Sequence, residues 1–133
     1  MATFKFEILT PHDLVLAKDV ERVILRTVEG DMGILANHAP FVSELAVGEM
    51  KVVAEDYEEK FFVSGGFLEI SRDKTLILAD EAINVKDIDV VMAKKQAEEA
   101  KAKLDKLKED RDIAATEKTL QEALTKVKLA ERL

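Results

Sequence analysis

Residues 75–97 read TLILADEAINVKDIDVVMAKKQA, and the pattern of the chain changes within them, near Ala82. Before that point apolar and polar residues alternate in short runs broken by Gly and Pro, the last of these being Gly66 and Pro40. From Asp87 to Leu133 no helix breaker occurs. Small apolar residues there recur at three- and four-residue steps, the spacing of a narrow stripe along one helix face. Two unlike modules therefore share the chain, residues 1–84 and residues 85–133.

Working upstream, Phe4, Phe6 and Ile8 alternate with Lys5 and Glu7, the period of a strand with one buried face, and Thr10 to Asp13 supplies a turn. Leu14–Ala17 and Glu21–Val28 read as further strands. Glu29 to Leu35, with Gly30 and Gly33 three apart, reads as a tight reversal using positive φ. Phe41–Ala46 is a short strand after Pro40. Glu49–Ala54 with Lys60–Ser64, and Phe67–Ser71 with Thr75–Ala79, read as two hairpins. Many short strands with no helix between them predict an antiparallel sandwich or barrel.

Downstream, Val90, Ala93, Ala97, Ala100, Leu104 and Leu107 form one seam, and Ile113, Thr116, Leu120, Ala123, Val127 and Ala130 form a second with the same steps. The polar break Glu109 to Asp112 fits the loop of an αα-hairpin, with Asp112 capping the second helix. The predicted fold class is α+β: an N-terminal antiparallel β-sandwich followed by a C-terminal antiparallel two-helix hairpin. Alanine seams bury little area, so the hairpin is expected to be marginal and able to exchange its own packing for a partner's.

Composition excludes several functions. At 133 residues, 47% hydrophobic and 35% charged, the chain supports one ordinary core and a small appendage. The absence of Cys removes disulfides, thiolate zinc sites and thiol nucleophiles, and fits a reducing cytoplasm. No apolar run approaches the roughly 20 residues of a membrane helix, and the first residues lack a signal peptide's apolar core, so membrane association is expected only through partners. A net charge of -7 argues against nucleic acid. The charge is uneven: residues 1–84 hold 8 Lys+Arg against 16 Asp+Glu, and residues 85–133 hold 12 against 11.

No catalytic set emerges. Phe62-Val63-Ser64-Gly65-Gly66 lacks the first Gly of a nucleophile elbow and has no helix after it, so a Gly-Gly kink between strands is the better reading. His12 and His38 sit in no metal-spaced cluster. Gly30-Asp31-Met32-Gly33 matches neither a phosphate loop nor a dinucleotide fingerprint. The residues alone describe an adaptor with a β head and a helical arm. They leave open a small-molecule-binding β module with a coiled-coil dimerisation arm.

Particular strings narrow this. Glu29-Gly30-Asp31-Met32-Gly33-Ile34-Leu35-Ala36-Asn37-His38-Ala39-Pro40, Val63-Ser64-Gly65-Gly66-Phe67-Leu68-Glu69-Ile70 and Leu76-Ile77-Leu78-Ala79-Asp80 resemble the epsilon subunit of bacterial F-type ATP synthases over essentially the whole chain. The resemblance implies a non-catalytic rotor subunit without a cofactor. It would sit at the cytoplasmic face of the bacterial inner membrane, its head held by the gamma subunit and resting on the c-subunit ring. The c-ring contact carries over onto Asp31, Met32, Gly33 and His38. The family's tail switches between a compact hairpin and an extended form that enters the catalytic hexamer of alpha and beta subunits and inhibits ATP hydrolysis. Lys118, Lys126, Lys128 and Arg132 match in type the basic residues that meet the beta subunit. Some bacterial members bind regulatory ATP through Ile/Leu-Asp-x-x-Arg-Ala. Here Ile88, Asp89 and Ala93 match, but Met92 replaces the Arg and Glu99 adds a carboxylate, which argues against ATP binding at physiological concentration.

Overall fold

The period-two pattern is realised almost throughout the first module. The structure, a computed structural model, describes residues 2–132. The strands are β1 (Phe4–Leu9), β2 (Leu14–Val20), β3 (Arg22–Thr27), β4 (Gly30–Leu35), β5 (Phe41–Glu44), β6 (Gly48–Ala54), β7 (Tyr57–Ser64), β8 (Phe67–Ile70), β9 (Thr75–Leu78) and β10 (Glu81–Asn84). Two helices follow, α1 (Val90–Leu104) and α2 (Asp110–Glu131). The chain divides after Asn84 into two compact units.

In the first unit, one sheet has the order β2-β1-β9-β8-β5 and the other β10-β7-β6-β3-β4. Phe6, Ile8, Leu68, Ile70 and Ile77 of the first sheet meet Val23, Leu25, Ile34, Met50, Val52 and Phe61 of the second in a closed core. Each of these is 0–4% exposed, and fully burying such a side chain contributes about 1.5–3 kcal/mol.

The structure departs from the sequence reading in four places. Glu29–Leu35 is not a reversal: the turn is Val28-Glu29, and β4 pairs antiparallel with β3, Gly33 lying opposite Ile24. Of the two glycines only Gly30 takes a positive φ (124°), because only it stands at the hairpin end. β1 and β9 pair in parallel, since the first strand is laid beside the ninth after the chain has crossed both sheets. β10 was not anticipated, and it carries strand structure past Ala82 to Asn84. Finally, α1 stops at Leu104, so Leu107 lies in the loop between the helices, and α2 starts three residues earlier than expected. Its N-cap is Glu109, without a side-chain cap hydrogen bond, while Asp112 sits in the first turn, where its charge favours the helix dipole.

The glycine pair after β7 performs the expected kink. Gly65 (φ 67°) and Gly66 (φ 92°) both occupy the left-handed region as the chain leaves β7 in one sheet for β8 in the other. A Cβ on Gly66 would collide with the backbone carbonyl of Leu78, whereas a Cβ on Gly33 would meet nothing within 4 Å.

These two sites make opposite predictions. Gly66→Ala is expected to destabilise the protein by about 2 kcal/mol or more, and Gly33→Ala to stay within about 0.5 kcal/mol or to stabilise slightly. Urea unfolding midpoints measure both, and equal losses at the two positions would contradict the backbone assignment.

Candidate docking surfaces

Because Phe6, Ile8, Leu68, Ile70 and Ile77 point into the core, their strand neighbours point outward. On the outer face of the first sheet the register sets Glu44, Phe67, Leu78, Leu9 and Leu14 side by side in one row. Phe67 is 55% exposed, Leu78 44% and Leu14 59%. The adjacent row runs Val42, Glu69, Leu76, Glu7, Ala17, with Val42 67% exposed. Single exposed apolar residues need no explanation, but a contiguous strip across five strands marks an interaction surface. Sequence reasoning missed it. The signal was present in Leu76-Ile77-Leu78 and Phe67-Leu68, where apolar residues occupy both parities of a strand and so call for cover on both faces.

The residues assigned to a ring contact are distributed along one edge strand. Asp31 is exposed at the tip end of β4, and its carboxylate accepts a hydrogen bond from Arg26 Nε at 2.9 Å across the strand pair. That pair raises the Arg26 guanidinium pKa, chiefly through the hydrogen bond to Asp31. Thr27 fastens the tip: its Oγ1 donates to the Gly30 carbonyl at 2.9 Å and accepts from the Glu29 N–H at 3.1 Å. Gly33 shares the outward face with Asp31, but Met32 packs against the core. His38 follows the far end of β4, and Asp31 to Leu35 alone spans about 13 Å of extended strand. The ring of His38 has Nδ1 2.7 Å from the Ala39 carbonyl and lines an open cleft of about 350 Å³ with Lys5, Asn37, Arg72 and Lys74. Asp31 and His38 therefore belong to opposite ends of the strand.

In the second unit, Asp89 is the N-cap of α1, its carboxylate accepting from the Met92 N–H at 3.0 Å. Ala93, Ala97 and Ala100 are buried on α1, facing a seam on α2 that includes Thr116 and Ala123. Ala93 is thus a packing residue, while Met92 is 56% exposed. Lys94 and Glu131 form an ion pair at 3.2 Å that joins the start of α1 to the end of α2. Lys118, Lys128 and Arg132 are exposed and Lys126 is half-buried. By the helical period Lys118 and Lys128 lie on the side of α2 turned from Thr116 and Ala123, and Arg132 is the C-cap of that helix.

Residues 3–85 match the family described as ATP synthase, Delta/Epsilon chain, beta-sandwich domain. The sequence is 67% identical over 132 residues to the ATP synthase epsilon chain, sodium ion specific, of Propionigenium modestum, covering 99% of this chain and 96% of that one. It is 41% identical to the ATP synthase epsilon chain of Shouchella clausii, over 98% and 96% of the two chains. Its fold superposes with a TM-score of 0.81 on a chain of the Euglena gracilis mitochondrial ATP synthase, solved as an OSCP/F1/c-ring assembly, at 26% identity over 100% of this chain and 83% of that one. A β-sandwich with one apolar outer face, two helices after it in the chain and these relatives have one common explanation: the chain belongs to the family of ATP synthase epsilon chains, non-catalytic subunits of that enzyme.

Proposed function

We propose that this chain is a rotor subunit of the central stalk, passing torque between the membrane ring and the catalytic head and restraining ATP hydrolysis through its helical arm. The observation that carries the reading is the apolar strip on the outer face of the first sheet, Phe67, Leu78, Leu9 and Leu14, which has the character of a subunit interface. It is assigned to the gamma subunit. The c-ring contact is assigned to the β4 edge, with Asp31 and Gly33 on its outward face and His38 at its far end; Met32 supports that edge from the core side. No helix is long and apolar enough to cross a membrane among the described residues; attachment to the membrane through the ring is part of the same proposal. The coupling ion is selected in the ring, and the sodium designation stays with the Propionigenium relative.

The arm is assigned the inhibitory role because its alanine seam stabilises the closed hairpin weakly, so that an extended state in contact with the alpha and beta subunits is within reach of modest binding differences. Lys118, Lys126, Lys128 and Arg132 would face the beta subunit there. ATP is not assigned as the effector. Asp89 already caps α1, Ala93 is buried, Ile88 is half-buried, and Met92 offers no charged donor in place of an Arg.

Three measurements test this. Leu78→Asp should lower the affinity for the gamma-containing complex at least ~30-fold, since an unpaired carboxylate is forced into an apolar contact; undiminished binding would remove the interface assignment. Reversing Lys118, Lys126 and Lys128 to Glu should raise ATP hydrolysis by the reconstituted enzyme several-fold, and an unchanged rate would refute the charge-driven arm. Calorimetry with the isolated chain should detect no ATP binding at micromolar concentrations, and a micromolar Kd would restore the nucleotide site.

A further inference from the structure

The apolar face carries one carboxylate at its interior. Glu69 stands between Val42 on β5 and Leu76 on β9, with Phe67 and Leu78 in the next row. Cross-strand neighbours of this kind have Cβ atoms only about 4.5–5.5 Å apart. Any surface that covers Val42, Leu76, Phe67 and Leu78 must cover Glu69 as well.

The other two carboxylates of the face are placed differently. Glu7, on the far side of Leu76, is held by Lys74 Nζ at 2.9 Å and so is already neutralised within the chain. Glu44 lies on the edge strand β5 at the end of its row, where it can remain in water. Glu69 is exposed and has no ion pair or hydrogen bond from its side chain among the described residues. Covering such a group without a counter-charge is costly, and the cost is removed only if the covering surface supplies a cation with good geometry.

We infer that Glu69 is the specificity determinant of this docking face and that its occupant is a protein surface of apolar character presenting a Lys or, for two-pronged geometry, an Arg to the Glu69 carboxylate. This rests on the reading that the outer face of the first sheet is the docking face. The charges on the face select among occupants. A second copy would bring its own Glu44 and Glu69 against the same pair, and an anionic lipid surface would leave Glu69 without a counter-charge. A basic group set among apolar residues of a partner subunit is complementary to Glu69, the carboxylate that the face leaves without a counter-charge.

The test uses the full chain and the F1 assembly of alpha, beta and gamma subunits lacking it, with affinity read by biolayer interferometry. An unpaired Glu69 would hinder docking, so Glu69→Leu would tighten binding. A paired one leaves an orphan cation when removed, so Glu69→Leu is expected to weaken binding at least tenfold and Glu69→Lys more still, with Glu69→Gln between wild type and Lys. Equal or tighter binding of Glu69→Leu, with Leu78→Asp still disruptive, overturns the inference and leaves the docking face standing. If Leu78→Asp also binds as wild type, the docking face itself is wrong. Sedimentation of the chain alone should give a monomer, and a dimer abolished by Leu78→Asp would overturn the choice of occupant. Thermal melts of the Glu69 variants should coincide with wild type, because the Glu69 side chain makes no ion pair or hydrogen bond among the described residues that its loss would remove.

Discussion

The passage of Gly66 against the backbone of Leu78 and Ala79 is the constraint on which the rest of the head depends. There the chain leaves the sheet containing β7 and enters the one containing β8, and two consecutive residues must take left-handed conformations to make the crossing so tight. The crossing is tied on both sides: the Leu45 N–H donates to the Gly66 carbonyl at 2.9 Å and the Asp80 N–H to the Ser64 carbonyl at 3.1 Å. These contacts fix where β8 begins relative to β9. Since side chains alternate faces, a slip of one residue would exchange the inner and outer sets, turning Leu68 and Ile77 to water and burying Phe67, Glu69 and Leu78. The glycine pair thus decides both the core and the composition of the apolar face.

How much of this could be read from residues alone follows from which interactions are local. Strand period, hairpin turns and the helical stripes are local, and Phe4 to Ile8, Glu49 to Ser64 and Val90 to Leu104 were legible because each pattern speaks for its own backbone. The parallel pairing of β1 with β9 is not local, since nothing in Phe6-Glu7-Ile8 names Thr75-Leu76-Ile77 as its neighbour. Gly33 misled because glycine is compatible with a turn and with an edge strand, and only pairing with Ile24 distinguishes them. The helix boundary at Leu104 has no Gly or Pro to announce it; the backbone tightens there through Lys106 N–H to Lys103 carbonyl and Leu107 N–H to Leu104 carbonyl contacts. Two-sided burial was signalled by Leu76-Ile77-Leu78, but the alignment of the docking row was invisible for the same reason as the parallel pair. Leu14, Leu9, Leu78 and Phe67 are scattered over more than fifty positions, and only register aligns them.

The two units are built with different stiffness, and the difference lies in side-chain volume. The head is filled by Phe, Ile, Leu, Met and Val at nearly zero exposure, an arrangement in which a lost methylene is felt and which deforms little under load. The arm's seam is Ala93, Ala97 and Ala100 opposite Thr116 and Ala123. Those residues permit close approach but contribute little transfer free energy each. The Lys94–Glu131 pair at the open end of the hairpin is more than half exposed on both sides, which limits it to about 0–1 kcal/mol. Separation of α1 from α2 therefore exposes little apolar area, while opening the sandwich would expose a great deal.

Under the proposed function, this contrast bears on how a subunit would be both a shaft component and a switch. A switch needs two arrangements within a few kcal/mol of each other, and torque transfer needs one arrangement far below all others. Residues that serve either purpose well serve the other badly, so the requirements are met by separate stretches of chain. The acidic imbalance follows the same division. Residues 1–84 hold 8 Lys+Arg against 16 Asp+Glu, an excess that opposes pairing of two copies of the head, whereas the arm, with 12 against 11, is near neutral. On the proposed reading, charge would oppose self-association at the head's docking face, and small side chains would keep the arm's seam exchangeable.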